Sequence, residues 1–173
     1  MGQGPVRTLT ADLRHRATHD PLTDLANRAA VDRALAQALT GSCDAALLLL
    51  DLDGFEQVDD DLGHAAGDLL LLTVADRLRA VVRSGDLVAR LGGDEFVVLS
   101  RGPDAAEHGP ASARRILDAI SAPVSVRDRD VTVGVGVGLA CARPGTSADQ
   151  LLREADADMY RTKHRRKVAL ASS

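Results

Sequence analysis

Apolar residues follow two rhythms along this chain. The run Ala45-Ala46-Leu47-Leu48-Leu49-Leu50 is continuously apolar, which fits a central strand buried on both faces. Leu87 to Leu91 and Phe96 to Leu99 instead alternate as half-buried strands do. They flank Gly92-Gly93-Asp94-Glu95, and so predict a β-hairpin whose glycine turn carries acid at its tip. Helical spacing predicts helices over Leu25 to Leu39, His64 to Val82, Ala111 to Ser121 and Ser147 to His164, with a strand pair within Val124 to Cys141. Strands and helices alternate without a long linker, so the fold class is α/β or α+β, one sheet with helices against it. Residues Met1 to Thr18 hold charges and leucines at helical spacing and read either as the tail of a connecting helix from an upstream domain or as a frayed terminus.

Candidate chemistry sits where the strands end. The leucine-rich run leads directly into Asp51-Leu52-Asp53-Gly54-Phe55. A glycine turn followed by acids is ordinary polar turn chemistry, and Asp51 and Asp53 equally suit the cap of a following helix. If the buried strand lies beside the hairpin, however, Asp51 and Asp94 converge on one edge. Two hard oxygen donors at such an edge suit Mg²⁺ or Mn²⁺ with bound phosphates, which implies phosphoryl or nucleotidyl transfer.

Five segments in order carry a family resemblance. Asp20-Pro21-Leu22-Thr23-Asp24-Leu25-Ala26-Asn27-Arg28 is similar to a DxLTGLxNR motif, with Asp24 where Gly is usual. Gly63-His64-Ala65-Ala66-Gly67-Asp68 matches GHxxGD, and Gly92 to Phe96 is an intact GGDEF signature. Val131 to Leu139 resembles a last core strand, and Ala155 to Lys163 an ADxALYxAK closing helix. Together they resemble the GGDEF domain, the catalytic module of diguanylate cyclases, over residues 19–168, leaving 1–18 as connecting helix or linker and 169–173 as a tail.

The resemblance implies a mostly antiparallel central sheet with flanking helices, a palm-like nucleotidyl cyclase fold. It implies that two GTP molecules are joined into cyclic di-GMP with release of pyrophosphate, each domain of a homodimer holding one GTP. Asp51 and Asp94 map onto metal ligands for Mg²⁺ or Mn²⁺, with the carbonyl of Leu52 as a main-chain ligand. Glu95 assists at a second metal or takes up the hydroxyl proton. Phosphate contacts map to the Asp53-Gly54-Phe55 loop and to Lys163, with Lys167 as a weaker match because Arg166 stands where Gly is usual.

The guanine contacts map to Asp59 and Asp68. At position 59 the family has Asn, and at 56 it has Lys, where this chain carries Glu56. A carboxylate accepts hydrogen bonds but does not donate, so Asp59 and Glu56 predict weaker GTP binding with the chemical step intact. Arg83-Ser84-Gly85-Asp86 matches an RxxD at the family's inhibitory product site, with Arg115 the nearest counterpart for a further arginine and Arg114 close behind. As a bare tetrapeptide it reads only as a solvated ion pair. His64 reads as a structural residue at a helix start rather than a catalytic one.

Composition narrows the choice. The chain has 173 residues, 45% of them hydrophobic, enough for one compact domain with a sizeable core. Only Phe55, Phe96 and Tyr160 are aromatic, and the net charge is −4, which argues against a nucleic-acid surface. Cys43 and Cys141 lack metal-ligand spacing and predict inert thiols in a reducing cytoplasm. No apolar run reaches membrane-spanning length, and the N-terminus lacks the order of a signal peptide. Two other readings remain open: a weak or inactive GGDEF module that binds GTP or cyclic di-GMP beside a sensor or phosphodiesterase domain, and a related nucleotidyl transferase using another purine.

Overall fold

The leucine-rich run becomes the middle of the sheet. In the computed structural model, which describes residues 12–40, 44–126 and 128–171 (backbone alone for 166–171), residues 12–18 are helical; the rest of the proposed connecting segment, residues 1–11, and Cys43 lie outside the described residues. The elements that follow are α1 (Arg28–Ala38), β1 (Ala45–Asp53), α2 (Phe55–Leu62), α3 (His64–Val81), β2 (Leu87–Gly92), β3 (Glu95–Arg101), α4 (Ala105–Ile120), β4 (Val124–Val126), β5 (Arg129–Val131), β6 (Gly134–Cys141) and α5 (Ala148–Ala171). β2, β3, β1 and β6 form a four-stranded sheet in that order, and β4 pairs with β5 in a separate two-stranded sheet. Every pairing is antiparallel.

Alternation along β1 divides the core into two layers, because successive side chains point to opposite faces. Leu48, Leu50 and Leu52 join Phe96, Val98, Val135 and Val137 beneath α3 and α4, where Leu70, Leu78, Ile116 and Ile120 close the layer. Leu47 and Leu49 join Val97, Leu99 and Ala140 on the other face, covered by Val31 and Leu35 of α1 and Leu151, Ala155 and Met159 of α5. Burying each such leucine contributes about 2 kcal/mol. With both faces covered, the strand needs the unbroken apolar run that the sequence has.

On β6, the face under α5 is glycine at 134, 136 and 138, with Ala140 beyond them. A Cβ on Gly138 would stand 1.9 Å from the carbonyl oxygen of Ala155, so the helix axis approaches as closely as backbone allows. The Gly134-Val135-Gly136-Val137-Gly138 alternation therefore writes this docking into the sequence.

Several boundaries differ from the periodicity. α1 starts at Arg28 rather than Leu25, because Asn27 caps it by accepting from the N–H of Ala30, while Ala26 bridges to Ala89 beside β2. β1 runs on past Leu50 to Asp53, since Asp51 to Asp53 still find ladder partners in Gly136, Val135 and Gly134. The nucleotide loop expected after Gly54 is instead the helix α2, set between Gly54 at φ 82° and Gly63 at φ 86°. Its apolar positions Phe55, Val58 and Leu62 pack against the core, a spacing obscured by the aspartate run 59–61. α4 begins at Ala105 rather than Ala111 and carries Pro110 inside it. Val124 to Cys141 holds three strands rather than a pair.

Gly138→Ala should destabilise the domain by about 2 kcal/mol, since the added methyl meets backbone that cannot rotate away. Thermal unfolding checks this, with a drop of several degrees expected.

Candidate active site

The acids converge because of strand register. Asp51 stands opposite Glu95 on β3 and Gly136 on β6, and both acids lie on the face covered by α5, as alternation from Leu49 and Val97 requires. Asp94 follows in the hairpin turn, where Gly92 (φ 140°) and Gly93 (φ 52°) adopt the backbone that only glycine takes without strain. The N–H of Leu52 donates to the carbonyl of Asp94 at 3.3 Å, fastening the turn to the end of β1.

Arg90 holds the turn from below. Its guanidinium donates to the carbonyl of Gly93 from Nε at 3.0 Å and Nη2 at 2.8 Å, and its Nη1 lies 3.2 Å from both Asp20 oxygens. Burial alone would raise the pKa of Asp20, but the N–H and hydroxyl of Thr23, with Arg90, outweigh it and hold the carboxyl below its ordinary value. Removing either partner would leave a largely buried charge alone, at about 3 kcal/mol. The sequence carried both partners, Asp20 as the first residue of the entry motif and Arg90 two residues before the signature, but nothing that joined them.

Electrostatic crowding marks the acid cluster. The Asp94 carboxyl is pushed above its ordinary value, first by burial and then by the charge and hydrogen bond of Asp51, with Glu95 adding to it. A positive charge answers them: Lys163 Nζ of α5 lies 2.5 Å from Asp51 Oδ2 and 2.7 Å from Asp53 Oδ1. Burial pulls the lysine pKa down, but its bonds to Asp51 and Asp53 prevail and hold it above its ordinary value. Lys163 reaches this point because Gly136 is bare; a Cβ there would stand 2.0 Å from Lys163 Cε. Asp53, read from the sequence as a helix cap or as part of a phosphate loop, is thus a carboxylate partner of Lys163, and Gly136, within the segment read only as a core strand, is the member of the cluster that the sequence did not single out.

This donor set fits a small hard cation. Two neighbouring carboxylates and main-chain carbonyls at a strand end are oxygen ligands of the kind Mg²⁺ and Mn²⁺ prefer. No group of three or more His, Cys, Asp or Glu side chains shaped to hold a metal occurs among the described residues; a pair of carboxylates suits an ion that keeps part of its shell as water or takes it from a ligand.

The remaining predicted contacts fall around this centre. Gly54 caps α2 without a side-chain bond, and nothing lies within 4 Å of where its Cβ would be, so a side chain there would meet open space. Glu56 is exposed on that first turn. Asp59 turns inward: Oδ2 accepts from His64 Nδ1 at 2.8 Å, while Oδ1 is buried without a partner over Gly67, whose Cβ would collide with it. Asp68 is exposed on the next turn of α3. Lys167 lies on the last turns of α5, and its side chain lies outside the described residues.

Arg83 and Asp86 line a separate cavity of about 260 Å³ with Ser100, Arg101, His108 and Ser112. Asp86 accepts from the main-chain N–H of Arg83 at 3.0 Å. Arg115 does not line the cavity but donates to Ser112 Oγ at 3.3 Å. Arg101 and His108 are additions that the tetrapeptide did not suggest.

The profile described as "Diguanylate cyclase, GGDEF domain" matches residues 17–168. The chain belongs to the GGDEF family. This GGDEF domain is 40% identical over 157 residues to the bifunctional diguanylate cyclase/cyclic di-GMP phosphodiesterase MucR of Pseudomonas aeruginosa, covering 88% of this chain and 23% of MucR. It is 38% identical over 165 residues to the diguanylate cyclase TpbB of the same species, covering 91% of this chain and 38% of TpbB. The chain therefore spans well under half the length of these curated relatives. The coiled coil and GGDEF domain of DgcB from Caulobacter crescentus, solved in complex with c-di-GMP, superposes with a TM-score of 0.82 at 30% identity, covering 92% of this chain and 87% of that one. Diguanylate cyclase SiaD of P. aeruginosa, in complex with its activator SiaC, gives 0.81 at 31% identity, covering 94% and 64%. The expected mostly antiparallel cyclase fold is thus borne out. No helix among the described residues is long and apolar enough to cross a membrane.

The hydrogen bond that His64 donates to Asp59, then the charge of Asp59, with Asp68 and Asp60 behind it, raises the pKa of His64 above 6.5. A raised imidazole pKa means that the pair contributes fully below the unfolded pKa and is lost as pH rises through the folded one. NMR titration should find His64 above the ordinary histidine value in the wild type and back near it in Asp59→Asn.

Proposed function

We propose that this domain is a diguanylate cyclase that condenses two GTP molecules, one on each of two facing domains, into cyclic di-GMP and pyrophosphate. The observation that carries the reading is the Asp51–Asp94 pair at the end of a buried sheet, with Asp94 pushed toward the neutral form by burial and by its neighbour. Carboxylates crowded against their own repulsion favour a cation between them. Asp51 and Asp94, with the Leu52 carbonyl, would hold Mg²⁺ or Mn²⁺. When bound, the ion polarises the α-phosphoryl oxygens and lowers the pKa of the attacking 3′-hydroxyl.

The chain's own residues do the rest. N–H groups at the start of α2, beside Gly54 and Phe55, donate to the triphosphate oxygens at the positive end of a helix. The ammonium of Lys163 adds positive charge there, with Lys167 further along α5. Glu95, opposite Asp51 in the ladder, receives the hydroxyl proton or helps hold a second ion. Asp68, exposed on α3, accepts from the guanine edge, and Asp59 joins it through Oδ2 alone, in exchange for its bond to His64. Orientation of the two nucleotides supplies much of the rate, so a domain working alone turns over little. Product returning to the Arg83, Asp86 and Arg115 region would restrain the enzyme. A second reading, a binding module of low activity, is favoured by Glu56 and Asp59, which bring negative charge to the nucleotide side.

Incubation with Mg²⁺ and GTP or ATP, followed by chromatography, tests these roles together. Cyclic di-GMP should form from GTP, at a rate per domain that rises with protein concentration. Asp94→Asn should abolish it, Arg83→Ala should remove the late slowing, and Glu56→Lys should lower the KM. GTP left unchanged by a wild-type domain that still binds cyclic di-GMP would favour the binding module.

A further inference from the structure

Lys163 occupies one of the two carboxylate oxygens that Asp51 could offer an incoming cation. Its ammonium sits on Asp51 Oδ2 and Asp53 Oδ1 at 2.5 and 2.7 Å. The Lys163 and Asp51 side chains are only 25% and 28% exposed, so the contact is stronger than a surface ion pair. It is also built in, since the lysine stem crosses β6 in the space that Gly136 leaves by having no side chain. A monovalent and a divalent cation on one carboxylate oxygen repel strongly at that separation.

Building on the metal reading above, we propose that Lys163 is an internal counter-ion that competes with the divalent ion for Asp51, and that Gly136 is the residue that makes the competition possible. Free metal then binds poorly on its own. An ion arriving on a nucleotide displaces the ammonium from Asp51, and the triphosphate it brings offers the ammonium new partners. Asp53, 49% exposed, keeps hold of the lysine while the exchange occurs. Metal and nucleotide binding are coupled by this exchange, which keeps the domain from holding bare metal between turnovers. Lys163 thus acts as a positioning residue for the order of assembly as well as a phosphate contact.

The test measures Mn²⁺ binding by electron paramagnetic resonance on the intact chain without nucleotide, with thermal melts to verify folding. Lys163→Met should bind Mn²⁺ about tenfold tighter than wild type, a change on the scale of two partly buried ion pairs. Gly136→Ala should do the same, because its methyl evicts the lysine from the strand while leaving its charge on the protein. With Mn²⁺ and GTP together, Lys163→Met should lose GTP affinity about tenfold, whereas Gly136→Ala should retain it. Wild-type Mn²⁺ affinity in both variants, with Asp94→Asn still weakening it, would overturn the competition and leave the metal reading standing. Mn²⁺ binding indifferent to Asp94→Asn would overturn the metal reading itself.

Discussion

Carboxylate repulsion at the end of a buried sheet is the constraint around which this domain is arranged. Strand register alone puts Asp51 and Glu95 side by side on one face, and the hairpin turn adds Asp94. Such a group of acids is costly unless positive charge stands close by. The structure meets that need from the helix covering the same face, with Lys163 of α5 reaching over β6. The fold invests rigidity in keeping the acids together, through two apolar layers on either side of β1 and the Arg90 bracket beneath the turn.

The same constraint explains why glycine recurs where it does. Gly138 lets α5 dock on β6, Gly136 lets Lys163 pass over it, and Gly92 with Gly93 folds the chain sharply enough to present Asp94. Each position removes a side chain so that another group reaches the cluster. The site is therefore specified as much by missing Cβ atoms as by the acids themselves.

Much of this was legible in the chain. The unbroken Leu run required a strand covered on both faces, and antiparallel pairing of β1 with β3 was enough to bring Asp51 beside the glycine turn, although Phe96 to Leu99, expected half-buried, is fully buried as well. Helix α2 was not legible, because three consecutive aspartates mask the Phe55, Val58, Leu62 spacing that docks it. Nor was the inward turn of Asp59, which depends on the bare backbone of Gly67 one helix away and on His64 lying within reach. Periodicity describes what one element buries; it carries nothing about which side chain crosses to a neighbouring element. Lys163, 112 residues from Asp51, is the plainest case.

Whether the acid pair is a metal seat is tested most directly by crystals grown with Mn²⁺ and a non-hydrolysable GTP analogue, measured at the manganese absorption edge. The expected result is an anomalous peak bonded to the carboxylates of Asp51 and Asp94, with the analogue's phosphates completing its shell. A bound nucleotide whose manganese lies elsewhere, with Asp51 still joined to Lys163, would contradict it.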